Sequence, residues 1–313
     1  MKKAIVTGAN GFIGFNLVQL LLKRNIEVFA VINKSEERII TLKSNQNLHI
    51  LKCNASVLQD LPVFNIPNDI DVFYHFAWSG NSGKNRCDQA LQLRNITLAY
   101  EALQAAELLH CKKFLFAGSV MEYEIMNLLV KDNAAIGLGN IYSIAKMTAD
   151  FMLKTYAANM EIDYINLIIS NIYGPGEKSA RLVNTTIRKM LSGEKTQFSS
   201  AKQQYDYIYI SDAVEQIYLV GEKGIGNNSY YIGNPNQFPL RHYLEIIGNI
   251  CLGHTDIGIG ELGVATAALT YKEFDSKKVY MQLGYVNKVS FSDGIIATKN
   301  FIEQENDNAT ISL

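Results

Sequence analysis

The 313-residue chain has no apolar run long enough to span a membrane and no block of basic residues, and its formal charge is only −1. The first absence leaves no transmembrane helix to predict. The second makes a nucleic-acid or anionic-membrane partner an unsuitable expectation. Cys53, Cys87, Cys111 and Cys251 show no paired spacing, which fits reduced thiols better than a disulfide frame or a zinc site. The five histidines make no metal-ligand pattern, so no metal is expected. The N-terminal apolar stretch is short and opens a strand, so no secretory leader is expected and a cytoplasmic protein is. No internal repeat is visible. What remains, with 48% apolar residues, is a chain that can bury a sizeable α/β core.

Its opening carries the first chemical signal. Lys3–Val6 is a short apolar run suited to a buried parallel strand. Gly8, Gly11 and Gly14 follow at three-residue spacing, and Phe12 to Leu22 reads as a helix with an apolar stripe. Glycine permits the tight turn, and a helix N-terminus offers free N–H groups to a pyrophosphate. This spacing differs from the G-x-G-x-x-G of the ordinary dinucleotide fingerprint. The next strand, Glu27–Ile32, ends without the carboxylate that would take an adenosine ribose. Asn33, Lys34 and Arg38 stand at that tip instead, a polar and cationic set suited to a 2′-phosphate. The expected cofactor is therefore NADP, with NAD the alternative if Glu36 or Glu37 takes the ribose.

Strands are further expected at Leu48–Lys52, Asp71–Phe76, Lys113–Ala117 and Asp163–Ile169, and helices at Lys84–Leu109, Tyr142–Tyr156 and near Arg181–Leu191. Such alternation predicts an α/β fold, a Rossmann-like doubly wound parallel sheet followed by a smaller C-terminal substrate lobe. The dinucleotide-binding domain is placed at residues 1–172 with a return segment about 206–222, whose Asp206–Ile210 is read as a strand re-entering the sheet. Residues 173–302 make the substrate lobe, and the polar residues 303–313 are expected to fray.

The second signal is Tyr142 and Lys146, four residues apart on one helix face, with Ser119 just past the strand Lys113–Ala117. With 17 tyrosines in the chain a lone Y-x-x-x-K is weak, so order and context make the case. A phenol with a pKa near 10 trades protons poorly at neutral pH. An ammonium about 4 Å away at an effective dielectric near 20 is worth about 4 kcal/mol, roughly three pKa units. That shift brings Tyr142 into the working range of a general acid/base, and the Ser119 hydroxyl can hydrogen-bond the same substrate oxygen.

Thr7–Gly14 (TGANGFIG), Ala117–Tyr123 (AGSVMEY) and Tyr142–Lys146 (YSIAK) together resemble the extended short-chain dehydrogenase/reductase family, in its NAD-dependent epimerase/dehydratase, nucleotide-sugar branch. The likeness runs over nearly the whole chain: His75-Phe76-Ala77 resembles the family's H-x-A strand end, Asn171–Pro175 its N-x-Y-G-P segment, and Tyr205–Asp212 its R-D-F-x-Y-V-x-D segment. The resemblance implies catalysis by Ser119, Tyr142 and Lys146. It implies cofactor contacts from Gly8, Asn10, Gly11, Phe12, Ile13, Gly14, Asn33, Lys34, Arg38, Asn54, Ala77, Asn95, Tyr142 and Lys146. Substrate contacts would come from Met121, Asn171 and Tyr205, and a homodimer is the usual assembly. Several residues depart from the pattern. Asn54 replaces an aspartate near the adenine, Tyr205 an arginine at the nucleotide phosphates, and Ile168 another frequent arginine. Val120 and Met121 stand where 4,6-dehydratases carry an Asp-Glu acid pair, which disfavours dehydration; Glu122, one place late, carries little weight. Two enzymatic readings follow: reduction of an NDP-4-keto-6-deoxyhexose at C4, and NAD-dependent 4-epimerisation. A non-catalytic dinucleotide sensor is the third, disfavoured because both Tyr142 and Lys146 are kept.

Overall fold

A computed structural model describes residues 1–33, 38–53, 58–129, 137–263 and 275–311. The chain packs as two compact units, the first made of Met1–Ile169, Val214–Ile232 and Lys278–Tyr285, the second of Ser170–Ala213, Gly233–Lys277 and Val286–Leu313.

The first unit is built on a seven-stranded sheet in the order β10-β6-β5-β4-β1-β2-β3. Its strands are β1 (Lys3–Thr7), β2 (Glu27–Ile32), β3 (Leu48–Lys52), β4 (Val72–His75), β5 (Lys113–Ala117), β6 (Asp163–Ile169) and β10 (Asn228–Ile232). Every neighbouring pair is parallel. Parallel strands covered on both faces read as unbroken apolar runs, and Ala4, Ile5, Val6, Phe73, Tyr74, Phe114, Leu115 and Phe116 are all wholly buried. The helices joining them are α1 (Phe12–Lys23), α2 (Gln89–Leu108), α3 (Glu122–Leu129), α4 (Ile141–Ala157), most of α6 (Ile210–Lys223) and α8 (Lys278–Leu283). The strand order reverses direction between β1 and β4, and this switch point is where ligands lodge in doubly wound sheets.

Two expectations are corrected in this unit. The strand that completes the sheet is β10, not Asp206–Ile210. Tyr230, Tyr231 and Ile232 of β10 are buried and run beside Leu167, Ile168 and Ile169 of β6. The helix read from Lys84 begins at Gln89, because the Asp88 side chain accepts the Leu91 N–H at 3.0 Å and caps it there. A 3-10 turn, Gly83–Cys87, precedes it.

The second unit holds two small sheets. One pairs β7 (Ile172–Tyr173) with β9 (Ile208–Tyr209) in parallel, and the other pairs β8 (Gln204–Tyr205) with β11 (Phe238–Pro239) in antiparallel. Helices α5 (Leu182–Leu191), α7 (Leu240–Leu252) and α9 (Phe291–Ile311) pack around them. Their shared core includes Tyr173, Ile187, Tyr207, Tyr243, Leu244 and Ile295. Asp206 ends up wholly buried here, its carboxylate taking the Asn234 N–H at 3.0 Å. The polar segment from Glu303 falls on α9, which runs to Ile311. Ile302 is buried and Lys299 pairs with Glu303 at 2.6 Å. Among the described residues no helix is long and apolar enough to cross a membrane.

Candidate functional site

The glycine turn leads from β1 into α1. Gly8 sits at φ +69°, and a β-carbon there would lie 2.8 Å from the Ala77 nitrogen and the Phe76 carbonyl carbon. A β-carbon on Gly14 would collide with the Gly8 carbonyl. The turn is therefore pressed against the end of β4 and against its own helix, and only glycine fits both places. Gly11 is the N-cap of α1 and offers no side-chain hydrogen bond, so no capping side chain covers the first-turn N–H groups. Bare N–H groups at a helix start, beside a cradle that excludes side chains, fit a dinucleotide pyrophosphate. Phe12 and Ile13 form the first helical positions. Asn10 turns its side-chain oxygen to the backbone N–H groups of Arg38 and Ile39, both at 3.0 Å. It thereby ties the glycine turn to the segment beyond β2. Asn33 is exposed just past the β2 tip, whereas Lys34 and Asn54 lie outside the described residues.

At the end of β4, His75 is wholly buried and its Nδ1 lies 2.9 Å from the Thr7 hydroxyl. Burial, helped by the Lys146 charge, pushes its pKa down to about 3, so the ring is neutral. Ala77 donates its N–H to the Thr7 hydroxyl at 3.3 Å, and Trp78, the one tryptophan of the chain, follows. Its indole N–H donates to Gln92 Oε1 at 2.9 Å. Asn95, one helical turn on, accepts the Ser79 N–H at 3.0 Å and donates to the Ser79 carbonyl at 2.8 Å. These two buried amides of α2 fasten the loop after β4.

Tyr142 and Lys146 stand on α4, and both are buried. The Lys146 ammonium donates to the Ala117 carbonyl at 2.7 Å and lies 3.6 Å over the Trp78 ring and 4.8 Å over that of Phe116. Trp78 also meets Tyr142 edge-on, with ring centroids 6.3 Å apart, and the Arg86 guanidinium lies 4.6 Å over the Tyr142 ring. Ser119, two residues past Ala117, is buried as well, and its Oγ accepts the Met121 N–H at 3.2 Å. The end of β5, the start of α4 and the loop after β4 thus gather Ser119, Tyr142, Lys146, Trp78 and Arg86. Burial pulls Lys146 down from the ordinary amine range, and the carboxylate of Glu122 opposes that pull.

Sequence reasoning gave Glu122 little weight and passed over Trp78, Arg86 and Asn166. Glu122 is buried, accepting the Ser119 N–H at 2.7 Å and the Asn166 amide at 3.2 Å. A solitary tryptophan directly after an H-x-A strand end was the one signal that marked Trp78 in advance.

Two residues expected to touch substrate belong to the second unit. Asn171 reaches Asp206 at 3.5 Å, and Tyr205, in place of a cation, stacks on Tyr207 with centroids 5.8 Å apart. All four cysteines are free, and among the described residues no cluster of His, Cys, Asp or Glu could hold a metal.

The sheet order, the turn after its first strand and the buried Tyr–Lys helix define a Rossmann-like dinucleotide-binding fold. The profile of the NAD dependent epimerase/dehydratase family matches residues 4–233, and the chain is an enzyme that belongs to that family. It is similar to a CDP-abequose synthase of Salmonella muenchen, 26% identical over 251 residues that make up 79% of this chain and 80% of the relative. Among solved structures it resembles a UDP-glucuronic acid 4-epimerase from Bacillus cereus crystallised with NAD. That likeness has 23% identity, TM-score 0.75 and coverage of 97% of this chain and 99% of that one. A dTDP-glucose 4,6-dehydratase from Bacillus anthracis, also with NAD, is 18% identical with TM-score 0.78 and 98% coverage of both chains. At such identities the solved structures speak for the fold.

Proposed function

We propose that this chain is a nucleotide-sugar oxidoreductase working at C4 of the hexose ring, most simply as a reductase of an NDP-4-keto-6-deoxyhexose. The observation that carries the reading is that Ser119, just past β5, and Tyr142 and Lys146, on α4, are all buried, with Lys146 bonded to Ala117 at the end of β5, in the same unit as the glycine turn. Gly8, Gly11 and Gly14 would hold the pyrophosphate at the start of α1, with Asn33 and Arg38 toward the adenosine ribose. A bound nicotinamide supplies a hydride to carbon or removes one. Tyr142 exchanges the proton at the substrate oxygen, Ser119 hydrogen-bonds that oxygen, and the Lys146 charge favours the phenolate. The aromatic faces of Trp78 and Phe116 keep this ammonium out of water, where its field on Tyr142 is stronger. Val120 and Met121 supply no acid for C5–C6 elimination, which argues against a dehydratase. Asn171, Tyr205 and Met121 are assigned to the nucleotide sugar, and the second unit to its binding.

Epimerisation at C4 is the second reading, favoured by the 4-epimerases among proteins of the same fold and by the NAD crystallised with the one from Bacillus cereus. Stoichiometry separates the two. Purified protein is incubated with a panel of NDP-sugars and NDP-4-keto sugars, with and without NADPH. The reductase reading expects keto-sugar loss to track NADPH oxidation one to one. Protein that arrives loaded with NAD and interconverts two NDP-hexoses with nothing added would establish the epimerase and sink the reductase. The same protein tests the cofactor. Binding of NADPH over NADH, with a gap that closes as salt rises, supports a 2′-phosphate site at Asn33, Lys34 and Arg38. Tighter NADH binding at low salt rejects it.

A further inference from the structure

The buried carboxylate of Glu122 has no part in the chemistry above, yet it sits at the junction of the residues that do. One oxygen takes the Ser119 N–H at 2.7 Å, and the other takes the Asn166 side-chain amide at 3.2 Å. The space around it is closed. A β-carbon on Gly118 would collide with the Asn166 side-chain oxygen and lie 2.7 Å from a Glu122 oxygen, so the chain passes the carboxylate as bare backbone. A charge buried this way is costly unless it is hydrogen-bonded or paired. Two hydrogen bonds and one nearby cation are what the structure supplies, and the cation is Lys146.

We propose that Glu122 is a positioning residue: it clamps the turn that presents Ser119 and provides the buried counter-charge to Lys146, which shares its helix face with Tyr142. The inference rests on the assignment of Ser119, Tyr142 and Lys146 to the reaction.

The ionisable and polar groups facing Glu122 come from every element packed on it. Ser119 contributes its N–H from the same turn. Asn166 and Tyr164 face it from β6, and Lys146 and Asp150 from α4. Asp150 accepts the Tyr164 hydroxyl at 2.7 Å, and Lys154 acts on it from the next turn. Lys146 in turn faces His75, which is neutral, and Ala117, Trp78 and Phe116, which carry no charge. Burial and the neighbouring Asp150 raise the Glu122 pKa, while burial lowers that of Lys146 and Glu122 raises it. The Ser119 N–H does most to hold Glu122 charged, with Lys146 next, and Glu122 is the charge that favours the ammonium of Lys146. Deleting the carboxylate leaves Lys146 with the Ala117 carbonyl and two aromatic faces but no opposing charge against its burial, so its pKa should fall.

The test reads Lys146 directly. The ε-carbon resonance of Lys146, assigned by its absence from Lys146→Met, is titrated by NMR in wild-type protein, Glu122→Gln and Glu122→Asp. Glutamine keeps an acceptor for the Ser119 N–H but loses the charge, so the Lys146 midpoint should fall by about one pH unit or more. The alkaline limb of the kcat profile should move down with it. Aspartate keeps the charge on a shorter stem, so the midpoint should return toward wild type. Turnover should stay at least about tenfold reduced, because the shorter carboxylate no longer reaches Ser119. A purely structural role would lower rates equally at every pH and leave the Lys146 titration in place. A Glu122→Gln midpoint equal to that of wild type overturns the counter-charge, and full activity in Glu122→Asp overturns the clamp. If Glu122→Gln does not fold, the titration and rate of Glu122→Asp decide. Failure of wild-type protein to turn over any nucleotide sugar would count against the proposed function, while the NMR titration still judges Glu122.

Discussion

Replacing Gly8 and Gly11 separately with alanine should split fold from function within one turn. At Gly8 the backbone holds φ +69°, in the left-handed region, which costs an L-residue about 1–2 kcal/mol. The added methyl would also lie 2.8 Å from two backbone atoms of Phe76 and Ala77. Neither atom is the end of a flexible side chain, so the end of β4 must move. Overpacking of that kind adds about 1–3 kcal/mol. The expected total, about 2–5 kcal/mol, is large beside the stability of an ordinary domain. At Gly11 the backbone is ordinary, φ −76° and ψ 170°, and the nearest atom to a new methyl is the Gly8 carbonyl oxygen at 3.1 Å. Gly11→Ala should therefore cost under about 1 kcal/mol, and its methyl would stand where the pyrophosphate approaches. Urea unfolding followed by far-ultraviolet circular dichroism reads the stability of both variants. Quenching of the single tryptophan, Trp78, reads cofactor binding, because that ring lies beside Lys146 and Tyr142. The expected pattern is a markedly lowered urea midpoint for Gly8→Ala, and a near-normal midpoint with at least tenfold weaker cofactor binding for Gly11→Ala. A Gly8→Ala protein as stable as wild type would refute the steric argument. Normal cofactor affinity in Gly11→Ala would refute the assignment of the turn.

Other outcomes follow from the same geometry. Tyr142→Phe should lower turnover by at least about 100-fold while cofactor still binds, the scale expected for a positioned acid/base; near-normal rates would remove Tyr142 from the chemistry. Lys146→Met should weaken both turnover and cofactor binding, measured by steady-state kinetics and by titration. His75 has a folded pKa of about 3, below its ordinary 6.5, so between those values the unfolded chain binds the extra proton. Its contribution is full above about pH 6.5 and is lost as pH falls toward 3, by up to about 1.4 kcal/mol per pH unit. Thermal unfolding at pH 7, 6 and 5 should accordingly decline less steeply for His75→Phe than for wild type, and parallel slopes would contradict the assignment.

Much of the first unit could be read from the sequence because its signals are local. Apolar runs bounded by turns mark β1, β2, β3, β5 and β6 within a residue or two, since parallel strands buried on both faces need side chains of one kind. The spacing of Tyr142 and Lys146 places them on one face of α4 by helix geometry alone. Gly8 and Gly14 announce a turn that no side chain can enter. What the sequence could not decide was pairing over distance. Asp206–Ile210 has the composition of a sheet strand, yet the edge beside β6 is taken by β10, and Asp206 is buried on Asn234 instead. Glu122 looked like a misplaced acid because nothing near it in the chain reveals burial. Asn166, 44 residues away, and Lys146, on another helix, make that carboxylate part of the site. Local chemistry and periodicity are written in consecutive residues. Burial, and with it the charge state of Glu122, Lys146 and His75, exists only once β4, β5, β6 and α4 have packed together.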